Sequence, residues 1–504
     1  MTGELTPQSR RAALRENSGR ARGGRTVPET VIIKPALARQ FEKFIARGRV
    51  LFFSAGCGFG KTALANALIG REAALRLHAG APDFAVPKAA GSWKFLLIDD
   101  LQMLHDEDDW RALCELIRSG HERRYILLSR GAPPGCLMAF EYAGLMTVLR
   151  GDDLLLDRED TRKLLQSYGV EPTESELSGI LRETIGFPLG VVVTARAMAP
   201  GRPFTPELAA QDTRDVFLYF ETEAYRRFDL PMRRFLLELA PFETFDLQMA
   251  QMVSGDPHAG QMLDWLQSNT SMLRSCGQQS LCFWPRLRDF LLWEMDKTYT
   301  DDKRRALFSR AGLYYELKED YARALDCYTM GGDHSKVSEL LVRNAELHPG
   351  MGHYSEMEKY YRSLPEEEIL ASPSLMQGMS MLCALTIDFE GSERWYNALK
   401  SFAQRCDRQD AAGREARSRL AWLDISLPQR TAEELLQTIP AVYRLYRERK
   451  LSLPPFSVTS TMPGLLNGGK DFSPWTKQDD LLYKTLRTPL EALMGRDGVG
   501  LADC

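Results

Sequence analysis

Three glycines spaced by single residues, Gly56, Gly58 and Gly60, run directly into Lys61 and Thr62. This stretch, Ala55 to Thr62, constrains the fold of the chain more than any other. Before it lies the apolar run Val50-Leu51-Phe52-Phe53, which reads as a buried strand; after it Ala63 to Ile69 reads as a helix. A strand that turns through glycines into a helix N-terminus aims backbone N–H groups inward around an anion. Gly58 and Gly60 allow the turn, Lys61 brings an ammonium for terminal phosphates, and Thr62 brings a hydroxyl for Mg2+. Ala55 stands where such loops usually begin with glycine. A methyl group is tolerated there if the residue keeps a negative φ.

Trp93 to Asp100 reads as a second buried strand that ends in two acids. Asp99 is the candidate Mg2+ residue beside Thr62. Strand side chains alternate between faces, so Asp100 reaches an attacking water only if the chain bends where the strand ends. A third strand, Tyr125 to Leu128, leads to Ser129-Arg130 and a Pro133-Pro134 turn. Ligands of parallel sheets sit beyond the carboxyl ends of the strands, so Arg130 should face the same crevice. Asp100 and Arg130 are the candidate catalytic residues. Asp109 to Arg118 reads as a helix with Trp110, Leu113 and Ile117 on one face. The alternation of strands and helices predicts a doubly wound, mostly parallel sheet.

At 504 residues the chain exceeds one core, and about three or four domains are expected. No apolar run approaches the roughly 18 residues of a membrane helix, and the N-terminus has no signal-peptide core, which reads as cytoplasmic with no membrane partner. A net charge of −4 gives no global attraction to nucleic acid. The nine cysteines are odd in number and never form C-x-x-C, which predicts reduced thiols with neither a zinc site nor a disulfide frame. Residues 1–26 carry six arginines against two glutamates and read as a disordered basic arm, on composition a solvated tail, with contact to nucleic acid or a partner as the alternative; it is not a groove-reading element.

With these residues in view, the chain resembles the STAND class of signal-transduction ATPases. Within that class it is similar to the large ATP-binding, LuxR-family bacterial regulators typified by the maltose-regulon activator. The resemblance runs over about residues 30–400. It is carried by Ser54 to Thr62, by Leu97-Ile98-Asp99-Asp100-Leu101, by Leu128-Ser129-Arg130, and by Gly186-Phe187-Pro188-Leu189 within a helical lid. Arg233 to Leu237 and Arg288 to Leu291 look like the ends of the family's winged-helix region. The resemblance implies ATP or ADP with Mg2+, contacted by Gly58, Phe59, Gly60, Lys61, Thr62 and Ala63, with Pro188 behind the adenine. It also implies self-association in the ATP state and an effector, a small molecule or a protein, sensed by C-terminal repeats.

Three departures accompany it. Only 38 positions separate Lys61 from Asp99 (99 minus 61), so a strand and helix of the standard core are expected to be missing. Trp284 precedes Pro285 where the family often has a phosphate-facing histidine, and an indole cannot act as that cation. The family's DNA-binding helix-turn-helix is not found, so DNA contact is expected only through a domain absent from this chain, and a truncated product is suspected.

From about residue 303 the pattern is helical pairs. Gly312-x-x-Tyr315 and Tyr321-x-x-Ala324-x-x-x-Tyr328 place small and aromatic residues as a tetratricopeptide-type repeat does. Asp333 to Leu341 and Ser392 to Phe402 read as further helices. The expected architecture is thus multidomain α/β plus α: basic arm 1–26, P-loop sheet domain 27–153, helical lid 154–212, winged-helix-like domain 213–300, repeat-type α-solenoid 301–445, and a loop-rich segment 446–504. The expected function is an ATP-dependent switch with at most slow hydrolysis. The alternative is a nucleotide-independent interaction scaffold with a vestigial loop. An active metabolic ATPase or kinase is the weaker third reading, because no second acid or base constellation is visible.

Overall fold

A computed structural model of the chain describes residues 31–447, apart from 88–91, 105, 121, 200, 278, 348–351, 408–409 and 431, together with 484, 486–489 and 491–492. The basic arm 1–26 lies outside the described residues, as does nearly all of the segment 446–504. The chain divides into two compact units, Met1–Thr298 and Tyr299–Cys504.

The first unit is built on a parallel sheet of five strands: β1 (Val50–Ser54), β2 (Ala74–His78), β3 (Phe95–Asp99), β4 (Arg124–Ser129) and β5 (Met146–Arg150), in the order β2-β3-β4-β1-β5. Every residue of β1 is buried, as its uninterrupted apolar run requires of a central strand covered on both faces. Ser54 lies level with Ser129 and Arg150, and His78 with Asp99, so the carboxyl ends of the strands open into one crevice.

The short interval between Lys61 and Asp99 does not remove a strand, contrary to the expectation from sequence. β2 is present, and residues 79–94 carry the chain across to β3 without a helix among their described residues. That length is enough for a parallel crossover.

After the sheet, helices Arg158–Ser167, Glu174–Thr184, Pro188–Met198 and Pro206–Glu223 form the lid. Lys34 ties the N-terminal segment to its start, with Nζ donating to the carbonyls of Asp153 (3.0 Å) and Leu155 (2.7 Å). Helices Leu230–Leu239, Leu247–Ser254 and Ala259–Asn269 follow, then the hairpin of β6 (Leu273–Ser275) and β7 (Leu281–Phe283), then helix Pro285–Thr298. Phe235, Leu236 and Phe290, read from the sequence as ends of a winged-helix region, are buried in this core.

The hairpin also corrects the cysteine expectation. Cys276 and Cys282 form a disulfide, with Cα atoms 6.2 Å apart. They flank a tight turn in which the Cys276 N–H donates to the Ser280 carbonyl, and the antiparallel register brings them together although their spacing fits no cysteine motif. Cys57, Cys114, Cys136, Cys327, Cys383 and Cys406 are free thiols.

The second unit is helical. Asp301–Leu317 and Tyr321–Gly331 pack as a hairpin in which a Cβ on Gly312 would stand 2.6 Å from the Tyr328 ring, so only glycine lets the two helices approach. His334–Leu347 and Phe389–Arg405 contain the two further helices expected from sequence. Helix Pro373–Leu385 is buried along its whole length, which makes it the axis of the core formed by the helices between 321 and 442.

Candidate functional site

The phosphate loop follows β1. Gly58 and Gly60 take left-handed φ values of 79° and 73°, while Ala55 keeps a negative φ, so its methyl is accommodated. Gly60 caps helix Lys61–Ile69, whose first N–H groups have no partner within the helix and point into the loop. Ala63 sits in that first turn and is exposed. Lys61 is buried, and its Nζ donates to the carbonyls of Ala55 (2.8 Å) and Gly56 (2.9 Å). Burial, and then the nearby Arg130 charge, lower its pKa to about 8. The Cys57 thiol beside it is pushed up by burial despite the Arg130 and Lys61 charges.

Thr62 Oγ1 donates to Asp99 Oδ2 at 2.7 Å. A hydroxyl and a carboxylate in contact at a strand end, next to free helix N–H groups, suit a Mg2+–phosphate ligand by their donor chemistry. Among the described residues there is no group of three His, Cys, Asp or Glu side chains that could hold a metal by itself, so a magnesium ion here would depend on phosphate oxygens and water for most of its shell.

The chain does bend at Asp100, whose φ of 52° turns the side chain into the crevice. Its carboxylate is already occupied there. Oδ1 accepts from Gln102 Nε2 (2.7 Å) and lies 3.4 Å from Arg130 Nε, while Oδ2 lies 3.1 Å from His78 Nε2. Burial would raise its pKa, but the Gln102 hydrogen bond and the Arg130, His78 and Lys61 charges outweigh it and hold the group below its ordinary value. His78 Nδ1 lies 3.1 Å from the Gly80 N, which turns Nε2 toward Asp100. The carboxylate so held joins His78 and Gln102 to Arg130 at the strand end.

Arg130 faces the crevice as expected. Beyond Asp100 it reaches the end of the lid, with Nη1 donating to the Glu223 carbonyl at 2.6 Å and Nη2 3.8 Å from the Glu223 carboxylate. Its own N–H donates to Gln102 Oε1 at 2.9 Å. His78 and Gln102 were not singled out by sequence: neither belongs to a motif, and they meet Asp100 only because β2 lies beside β3 and the chain turns after Asp99.

Phe59 keeps its backbone in the loop between Gly58 and Gly60. Its ring turns away from the loop's interior and packs edge-on against Phe187 (5.2 Å) and Trp284 (5.0 Å). The indole that stands in the histidine position therefore covers the loop from outside. Pro188 begins helix Pro188–Met198 and stands beside Gly60. Leu189 N–H donates to the Gly58 carbonyl at 3.1 Å, and a Cβ on Gly58 would lie 2.5 Å from Phe187 Cζ, so the lid rests on the loop itself. The region after the lid holds the sheet domain at two further points, Arg274 to Asp152 (3.2 Å) and Ala132 N–H to the Ser268 carbonyl (3.3 Å).

The MalT winged helix domain family matches residues 221–303. No curated protein matches the chain. Similar solved structures include a Walker-type ATPase of Pyrococcus abyssi, 12% identical, covering 52% of this chain and 97% of that one with a TM-score of 0.40. Another is a STAND protein with a tetratricopeptide repeat sensor from Pyrococcus horikoshii, 12% identical, covering 94% of this chain and 76% of that one with a TM-score of 0.27. At that level of likeness neither neighbour bears on function. The chain thus carries a phosphate loop on a five-stranded parallel sheet, followed by a region that matches the MalT winged helix domain family.

Proposed function

We propose that the chain is the switch of a cytoplasmic bacterial transcriptional regulator of the LuxR-family type, in which exchange of ADP for ATP controls self-association. The tetratricopeptide-like helices of the second unit sense a small-molecule or protein effector, and hydrolysis is at most a slow timer. The observation that carries this reading is the position of Arg130, shared between Asp100 at the strand end and the Glu223 carbonyl where the MalT-type domain begins.

In this reading the N–H groups of Gly58 to Ala63 and the Lys61 ammonium grip the phosphates. Thr62 and Asp99 hold Mg2+, which supplies charge neutralisation when bound, and Pro188 backs the adenine. Arg130 has to leave Glu223 to meet a terminal phosphate, so that phosphate and the closed arrangement compete for one guanidinium. Asp100, steadied by His78 and Gln102, keeps Arg130 at the crevice while the competition is decided. Effector binding biases exchange to the extent that it favours one arrangement over the other.

Sedimentation of the protein with Mg-ADP and with a Mg-bound non-hydrolysable ATP analogue tests the reading. A larger species is expected with the analogue and a smaller one with ADP; the same species in both removes the switch.

A further inference from the structure

Helix Glu107–Ser119 carries Cys114 on the face that packs into the core of the sheet domain, and the turn Gly135–Leu137, after β4, carries Cys136. The two residues are 22 positions apart in sequence, and the packing of the turn against the helix brings them together. Cys114 Sγ lies 3.6 Å from the Cys136 carbonyl oxygen, to which it donates, and the two thiols are themselves in hydrogen-bonding contact. Their surroundings differ. Cys114 is 4% exposed, whereas Cys136 is open to solvent.

One exposed and one buried sulfur in contact set an order of reaction. Burial, and then the neighbouring Cys136, push the Cys114 thiol up to about 11, so it stays protonated and shielded from solutes. Cys136 is the sulfur that a soluble oxidant meets first. Arg118, one turn along the helix, favours the Cys114 thiolate and so eases the later loss of its proton.

We propose that Cys114 and Cys136 form an oxidation site, a dithiol that a peroxide converts to an internal disulfide. The Cys136 thiolate attacks one oxygen of hydrogen peroxide. The S–O bond forms, the O–O bond breaks, and the departing hydroxide takes up a proton to become water. Cys114 sulfur then attacks the sulfur of the resulting sulfenic acid; the S–S bond forms, the S–O bond breaks, and the Cys114 proton leaves with the hydroxyl as a second water. The two sulfurs together lose two electrons, and the peroxide gains them. A small dithiol reverses the bond by exchange.

The segment between Arg130 and Cys136 is already held on one side by the region that follows the lid. Ala132 N–H donates to the Ser268 carbonyl at 3.3 Å, and a Cβ on Gly131 would stand 2.8 Å from the Asn269 backbone. A bond from Cys136 to Cys114 anchors the other end of the segment to helix Glu107–Ser119. Oxidation therefore restricts the stretch that leads away from Arg130.

Peptide mapping of the full-length protein after treatment with hydrogen peroxide, digested without reductant, tests the site. A peptide joining Cys114 to Cys136 is expected in wild type, and dithiothreitol should separate its halves. In Cys114→Ser the second step is impossible, so Cys136 should remain a sulfenic acid that dimedone traps; in Cys136→Ser, Cys114 should stay a free thiol. The double change Cys276→Ser, Cys282→Ser should leave the new bond intact, which separates peroxide chemistry from exchange with the hairpin disulfide. Amide hydrogen exchange over residues 131–136 should slow by about tenfold in the oxidised protein. Accumulation of sulfenic or sulfinic acid at Cys136 in wild type, with Cys114 still free, would overturn the pair. Unchanged exchange in the cross-linked protein would overturn the anchoring.

Discussion

The guanidinium of Arg130 donates to the main-chain carbonyl of Glu223 at 2.6 Å, joining the end of β4 to the end of the helix that precedes the winged-helix core. A terminal phosphate placed on the loop would draw the same group away. Arg130→Ala should therefore lower ATP affinity by about tenfold or more, the scale of a charge-assisted hydrogen bond, while ADP affinity changes far less. Titration of each nucleotide against wild type and variant measures the two ratios. An equal effect on both nucleotides would remove Arg130 as the discriminating group.

Thr62 Oγ1 and Asp99 Oδ2, 2.7 Å apart, are the oxygens offered to magnesium. Asp99→Asn removes the charge and keeps the shape. Wild type should bind ADP more tightly in Mg2+ than in EDTA, by about tenfold, and the variant should show nearly the same affinity in both, since Mg2+ prefers an anionic oxygen ligand. A full Mg2+ effect in the variant would assign the ion elsewhere.

Burial lowers the Lys61 pKa to about 8. The sign follows from which form grips phosphate: only the ammonium does, and a bound polyanion raises the pKa again. Nucleotide binding should therefore take up protons above about pH 8 and weaken as pH rises further. At pH 8.5 much of Lys61 is neutral before binding, whereas at pH 6.5 little of it is. Calorimetry in two buffers of different ionisation enthalpy should show uptake of a large fraction of a proton at the higher pH and close to none from Lys61 at the lower. The same depression affects folding in the opposite sense: the unfolded chain holds the proton up to its ordinary pKa, so the burial of Lys61 weighs against stability below about pH 8 and is relieved as pH rises from there.

Gly312 faces Tyr328 so closely that an added Cβ would lie 2.6 Å from the ring. Gly312→Ala should destabilise the second unit by about 1–3 kcal/mol, the range for overpacking. Gly135, where a Cβ meets nothing within 4 Å and φ is not positive, is the control, and Gly135→Ala should be close to neutral. Urea unfolding of the two variants measures the contrast; equal midpoints would mean that the hairpin relaxes around the methyl group.

The central strands were legible because β1, β3 and β4 are buried on both faces and so are written as unbroken apolar runs. The edge strands were not. In β2, Arg76 and His78 are exposed, and β5 carries Thr147 and Arg150 among its apolar residues, so neither stands out from a loop. That is why the short interval before Asp99 suggested a lost strand. Asp100 and Arg130 were legible as strand-end residues, and their partners were not: His78 and Glu223 arrive from other parts of the chain, and Gln102 meets Asp100 only through the turn after Asp99. The Cys276–Cys282 bond depended on a hairpin register that cysteine spacing does not encode.

Nucleotide binding at Lys61 is the claim on which the switch depends, and isothermal calorimetry of the full-length protein with Mg-ADP and Mg-ATP, beside Lys61→Ala, tests it most directly. The expected result is saturable heat at one site in wild type and none in the variant, with the circular dichroism of the two indistinguishable. Unaltered binding in Lys61→Ala, or no heat from either nucleotide in wild type, would contradict the account and leave a scaffold that carries the loop without using it.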